Sequence, residues 1–193
     1  MMRRLPLAIC LTAMCPAAIG TPALAASGQT ATAQGQAAAV IVEPIVAISL
    51  GDLDFGSLTS SRTASGSVTV DADGGAVSYA GGAASACAGG GGCAGIAPAR
   101  FLVKGEASRS YTVSAPTAIT ATGTLIGTSG SAPDLAIDAL TVHLLSHAGG
   151  VTSIGQLDET GEDRIAIGGR LNVPAGTAPA HYRATLTIMV TYS

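Results

Sequence analysis

The sequence is poor in charge. Asp, Glu, Lys and Arg make up 11% of its 193 residues, against about a quarter in ordinary soluble domains. A nucleic-acid binder needs a basic face, and this chain has 9 Lys and Arg against 12 Asp and Glu. Aromatics are 3% and Trp is absent, so aliphatic side chains carry the apolar content. Beyond the first 25 residues no apolar run approaches membrane length. No stretch has a convincing 3.6-residue period, so no helix is expected.

What remains is rich in Gly, Ser, Thr and short β-branched runs, broken by Gly, Ser, Asp and Pro. That pattern reads as an all-β domain, and the length suffices for one domain with a proper core. The first residues differ from the rest. "MMRR" is a positive n-region, "LPLAICLTAMCPAAIG" an apolar h-region, and Ala23-Leu24-Ala25 an A-x-A cleavage site. Residues 1–25 are therefore expected to be a signal peptide cleaved after Ala25. Cys10 and Cys15 follow Ile9 and Met14 rather than small residues, which argues against lipidation. Losing Arg3 and Arg4 takes the formal charge from −3 to about −5. The expected destination is outside the cytoplasm: periplasm, cell surface or medium.

Residues 26–38 hold no large apolar side chain and are expected to be a flexible leader. A single β-sandwich domain is expected over 39–193. Residues 40–50 read as a long one-faced strand, with Val40, Val42, Val46, Ile48 and Leu50 in phase and a break or edge position at Pro44. "ARFLVKGEASRSYTVSAP" reads as a hairpin turning at Glu106–Arg109. Leu140, Val142 and Leu144 share one face of a further strand, and Ile165, Ile167, Leu171 and Val173 one face of another. From Tyr182 every second residue is large or apolar, including Leu186, Ile188, Val190 and Tyr192, the mark of a strand with one buried face. Turn signals recur roughly every 8–15 residues, the spacing of a sandwich.

Few residues suggest chemistry. Cys87 and Cys93, separated by "AGGGG", are expected to form a disulfide in an exported chain. So short a loop is stabilised by roughly 2 kcal/mol in the chain-entropy model. His143 and His147 stand four apart, but no Glu follows the first and the surroundings read as strand. "DADGG" (71–75) resembles part of a calcium loop without its other ligands, and "DETGED" (158–163) reads as an acidic turn. There is no Gly-x-Ser-x-Gly elbow. No cofactor, metal or enzyme activity is expected.

Several pieces occur in a recognisable order: "LDFG" (Leu53–Gly56), "GSVTVDADGG" (Gly66–Gly75), the segment Ala99–Pro116, "IGGRLNVPAG" (Ile167–Gly176) and "YRATLTIMVTY" (Tyr182–Tyr192). Together they resemble the bacterial domain of unknown function 4402 over roughly residues 38–193. The last strand, with alternating Val and Thr and a Tyr near its end, also resembles chaperone–usher pilin subunits and the spore-coat-U-like group. That resemblance implies an immunoglobulin-like antiparallel sandwich, completed by a strand from a neighbouring subunit and held beforehand by a periplasmic chaperone. Under it, Val40, Val42, Val46, Ile48 and Leu50 are donor-strand candidates, and Leu186, Ile188, Val190 and Tyr192 form the acceptor edge. The partners would be other copies or related subunits, and the product a surface fibre or coat. Residues 40–50 equally suit the domain's own first strand beside 182–192, and a donor could lie in 28–42. The rival expectation is a monomeric secreted or periplasmic sandwich acting as a binding or adhesion module.

Overall fold

Strand β11 (Glu162–Val173) organises the structure. Asp163, Ile165, Ile167, Leu171 and Val173 are all buried on its odd-numbered positions, as a two-residue period requires. The computed structural model describes residues 32–87, 95–146 and 153–193. Its contacts divide the chain into residues 1–40 and 41–193. In the first unit, residues 32–40 are exposed and have no regular secondary structure.

The second unit is an antiparallel β-sandwich, with no helix among the described residues. The remaining strands are β1 (Val46–Gly51), β2 (Leu58–Ser60), β3 (Gly66–Val70), β4 (Val77–Gly81), β5 (Ala83–Ser85), β6 (Ala99–Lys104), β7 (Ser110–Ser114), β8 (Ile119–Leu125), β9 (Ser131–Leu144), β10 (Ile154–Gln156), β12 (Ala180–Arg183) and β13 (Met189–Tyr192). The large sheet runs β1-β6-β11-β9-β8-β12, and β3 pairs with both β11 and β4. The first half of β11 lies between β6 and β9; its second half lies between β3 and β9. A second sheet has the order β10-β7-β13, and β2 pairs with β5.

Two apolar clusters result. One joins the large sheet to the three-stranded sheet: Ala99 and Val103 from β6, Ile165 and Ile167 from β11, and Leu144 from β9 meet Tyr111 and Val113 from β7, with Leu157. The other gathers Val68, Val70, Ala121, Leu135, Ile137, Leu171 and Val173 around Phe55, with Ala83 of β5. Strand β9 serves both. Between its pairs with Ala121 and Gly123 it carries extra chain at Pro133-Asp134, and opposite Gly168–Arg170 it carries another extra residue. Each bulge moves the buried phase by one. Ala132 is buried, then Leu135 and Ile137, then Leu144. Ala139 sits at the second bulge with φ 49°, a left-handed backbone that is uncommon outside glycine. Pro133 occupies the first, a position where its missing N–H costs no ladder bond.

Three expectations change. The segment 99–116 is not a hairpin, because β6 belongs to the large sheet and β7 to the small one. Its turn crosses between sheets and is tied to the acidic turn instead: Gly105 N donates to Gly161 O at 2.9 Å, and Ser108 N to Asp158 O at 3.0 Å. The strand expected at 40–50 begins only at Val46, two residues past the Pro44 break. The strand expected at 182–192 is two elements: β12 pairs with β8 in the large sheet, and β13 pairs with β7 in the small one.

Candidate functional site

The face and edge presented by β1 and β13 hold the residues that sequence reasoning singled out. Among the described residues β1 pairs only with β6, so its other edge has no ladder partner there. Ala47 stands opposite fully buried Val103 and shares its face of the sheet, yet Ala47 and Ser49 are themselves exposed. Val46 and Ile48, opposite Lys104 and Leu102, therefore face outward. Val46, Ile48 and Leu50 are 48%, 42% and 55% exposed. Every residue of β1 from Val46 to Leu50 is exposed, so neither face of the strand is buried, and Ile45 before it and Leu53 after it are the ones packed on the core. Before β1, Val40 is 88% and Ile41 96% exposed, and Val42 is half-buried.

β13 keeps the expected alternation. Leu186, Ile188, Val190 and Tyr192 pack partly against the cluster beneath the small sheet, while Met189 is 65% exposed. Its ladder with β7 runs from Tyr192↔Tyr111 to Met189↔Ser114 and stops. Continuing that register would set Thr187 against Pro116, which has no N–H to give. A shallow groove lined by Ser114, Ala115, Pro116, Thr187, Ile188 and Met189 marks the stop. Residues 184–188 lie in no strand, and none of the backbone–backbone hydrogen bonds outside the strands involves them among the described residues. This is a one-faced apolar segment with its polar backbone unpaired.

β1 and β13 do not share a ladder. They are joined through Tyr192. Its hydroxyl donates to the Glu43 carbonyl at 2.7 Å and accepts from the Glu106 N–H at 2.7 Å. The Glu106 carboxylate accepts from the Glu43 N–H at 3.0 Å. The Arg109 guanidinium lies 5.0 Å from the centre of the Tyr192 ring, within cation–π range. Gly105 makes this packing possible, since a Cβ there would lie 2.2 Å from the Tyr192 oxygen.

A buried polar group lies beneath. Asp163 is the one buried charged residue among the described residues. Its carboxylate accepts from the Tyr111 hydroxyl at 2.7 Å, from the Ser146 hydroxyl and N–H, and from the Arg164 N–H at 2.7 Å. Burial, followed by the bond to Asp163, pushes the Tyr111 phenol above its usual range. Gly155, opposite Tyr111, leaves room for the ring, for a Cβ there would approach it to 2.5 Å. Sequence reasoning missed this cluster, yet a signal exists: Asp163 shares the phase of Ile165 and Ile167. All of the carboxylate's partners belong to its own fold, which makes it a structural brace.

The other acidic and histidine motifs show no assembled chemistry. Asp158 Oδ1 accepts from Thr160 N–H, Thr160 Oγ1 and Glu162 N–H. These bonds, led by Glu162, hold its carboxyl below the usual carboxylate range. The acidic stretch is thus a self-closed turn. His143 Nε2 is 3.8 Å from Asp73, and His147 lies outside the described residues. No group of three or more His, Cys, Asp or Glu is placed to hold a metal ion among the described residues. Cys87 follows β5; its expected partner Cys93 also lies outside the described residues.

No helix among the described residues is long and apolar enough to cross a membrane. No curated protein and no solved structure matches the chain. The family model for the domain of unknown function DUF4402 matches residues 45–192, from just before β1 to the last residue of β13, and the chain belongs to that family.

Proposed function

We propose that this protein is an exported structural subunit, an immunoglobulin-like, pilin-like sandwich that joins a surface fibre or coat by β-strand addition between copies. The observation that carries the reading is the backbone of residues 184–188, apolar on one face and hydrogen-bonded to no other strand among the described residues. An added strand would satisfy its N–H and C=O groups, and its alternate side chains would cover Leu186 and Ile188. The chain also holds a suitable donor: Val40 and Ile41, almost fully exposed, lie in a segment without regular structure. β1 is not the donor, because residues 46–51 already pair with β6. The donor is therefore the earlier part of the segment, around Val40–Val42. Head-to-tail use of two different surfaces need not close, which gives a filament rather than a dimer.

Export is part of the proposal, with the first 25 residues as the signal and Cys87–Cys93 as a disulfide formed outside the cytoplasm. A periplasmic chaperone would cover the same unpaired segment before assembly. The test is to express the chain for export and follow its mass by light scattering across concentration. Concentration-dependent oligomers that vanish in Val40→Asp/Ile41→Asp are expected. A monomer at all concentrations, indifferent to these changes, would overturn strand addition and favour a self-contained binding module. The contact between Tyr192 and the chain's own Glu43 supports that second reading.

A further inference from the structure

We propose that Tyr192, Glu106 and Glu43 form an autoinhibitory clasp, which holds residues 41–45 on their own domain and so limits how readily the preceding donor segment reaches a second copy. The inference rests on the assembly reading above and names its regulation.

The clasp grips backbone, not side chain. Glu43 N–H donates to the Glu106 carboxylate and Glu43 C=O accepts from the Tyr192 hydroxyl. Two side-chain groups thereby give one residue the donor and acceptor that a neighbouring strand would supply. They are coupled to each other, because the same tyrosine hydroxyl accepts from Glu106 N–H. Pro44 follows at once and has no N–H, so this pairing cannot spread into a ladder toward β1. The hydrogen-bonded hold is therefore confined to Glu43, two residues before Ile45 packs on the core. All three bonds are exposed to solvent, so water replaces each at little cost. Such a contact suits release better than permanent anchorage. It is also placed on the strand that carries the assembly edge: Tyr192 is the last residue of β13, and the unpaired residues 184–188 lead into that strand.

Removing the clasp should free the segment without disturbing the core. In Tyr192→Phe and, separately, Glu106→Ala, amide exchange at Val42, Glu43 and Ile45 in the isolated monomer is expected to rise about tenfold, on the scale of one or two lost hydrogen bonds. Oligomer formation by the exported chain should quicken severalfold in both. Ile167→Val, a core change away from the clasp, controls for general loosening and should raise neither quantity selectively. Unchanged exchange at 42–45 in both variants overturns the clasp. Raised exchange with an unchanged assembly rate overturns its inhibitory role. Raised exchange with no oligomer in wild type or variant at any concentration overturns the assembly reading itself and leaves the clasp as a local tie.

Discussion

Tyr111 and Asp163 illustrate how one polar pair can be tolerated in an aliphatic core. The carboxylate has four donors and the phenol has its acceptor, so neither is left unsatisfied. The pair has a consequence at high pH. An unfolded tyrosine loses its proton near pH ~10, whereas Tyr111 keeps it in the fold because burial and the Asp163 charge oppose a second negative charge. A group whose folded pKa is raised contributes stability below its unfolded pKa, and that contribution is lost as pH rises. Above pH ~10 the folding free energy should therefore fall by up to about 1.4 kcal/mol per pH unit on account of this one group. Tyr111→Phe should be less stable at neutral pH and show a flatter decline between pH 9 and 11. Urea titrations of both proteins across that range measure the difference, and parallel declines would show that Tyr111 ionises in the fold. Asp163 itself was legible only as part of an acidic turn. Its neighbours Asp158 and Glu162 do belong to the turn, and composition cannot tell which acid points inward; the phase set by Ile165 and Ile167 can.

At the scale of the element, period-two patterning was a sound guide to burial and a poor guide to partners. Leu186, Ile188, Val190 and Tyr192 are inward as their alternation implies, yet the run divides between two sheets. Alternation reports which face a side chain takes, and both sheets face the same interior. Pairing depends on where β7 and β8 lie, which is a long-range matter. The same reason explains why Phe101, Val103, Tyr111 and Val113 resemble a hairpin: all four pack on one cluster from two facing sheets. Strand β9 carries the opposite lesson. Its 14 residues change buried phase at each bulge, so a single-period reading captures only its last part, Leu140 to Leu144. The bulge at Ala139 absorbs one extra residue. Deleting Ala139 would leave Leu135, Ile137, Leu140, Val142 and Leu144 in one unbroken alternation, on the partners they already have in β11. The deletion variant is therefore expected to keep cooperative thermal unfolding by circular dichroism. Ala139→Gly, which relieves the left-handed backbone at some entropic cost, should keep it too; loss of cooperative melting in the deletion alone would show the bulge itself to be needed.

The whole molecule was legible in class: an all-β antiparallel sandwich of the DUF4402 family. Short β-branched runs between turn residues carried the class, and the order of pieces from Leu53–Gly56 to Tyr182–Tyr192 carried the family. The clasp at Tyr192 was not legible, because it joins residues 149 apart in sequence through a hydroxyl and a backbone carbonyl. Neither group advertises itself in a pattern of apolar positions. What sequence did mark was the pair of segments involved, one preceding Pro44 and one closing at Tyr192.

That proximity has a mechanical meaning. If copies are linked through the segment before Glu43 and the edge around β13, tension enters and leaves each subunit at nearly one corner. The load path crosses an exposed tyrosine hydroxyl and need not traverse either apolar cluster. A subunit pulled from positions 41 and 193 should yield first by peeling at low force, with most of its sandwich intact, as force spectroscopy on handles at those sites would reveal; a single high-force rupture would place the resistance in the core instead. The corner would then act as a compliant joint between stiff bodies.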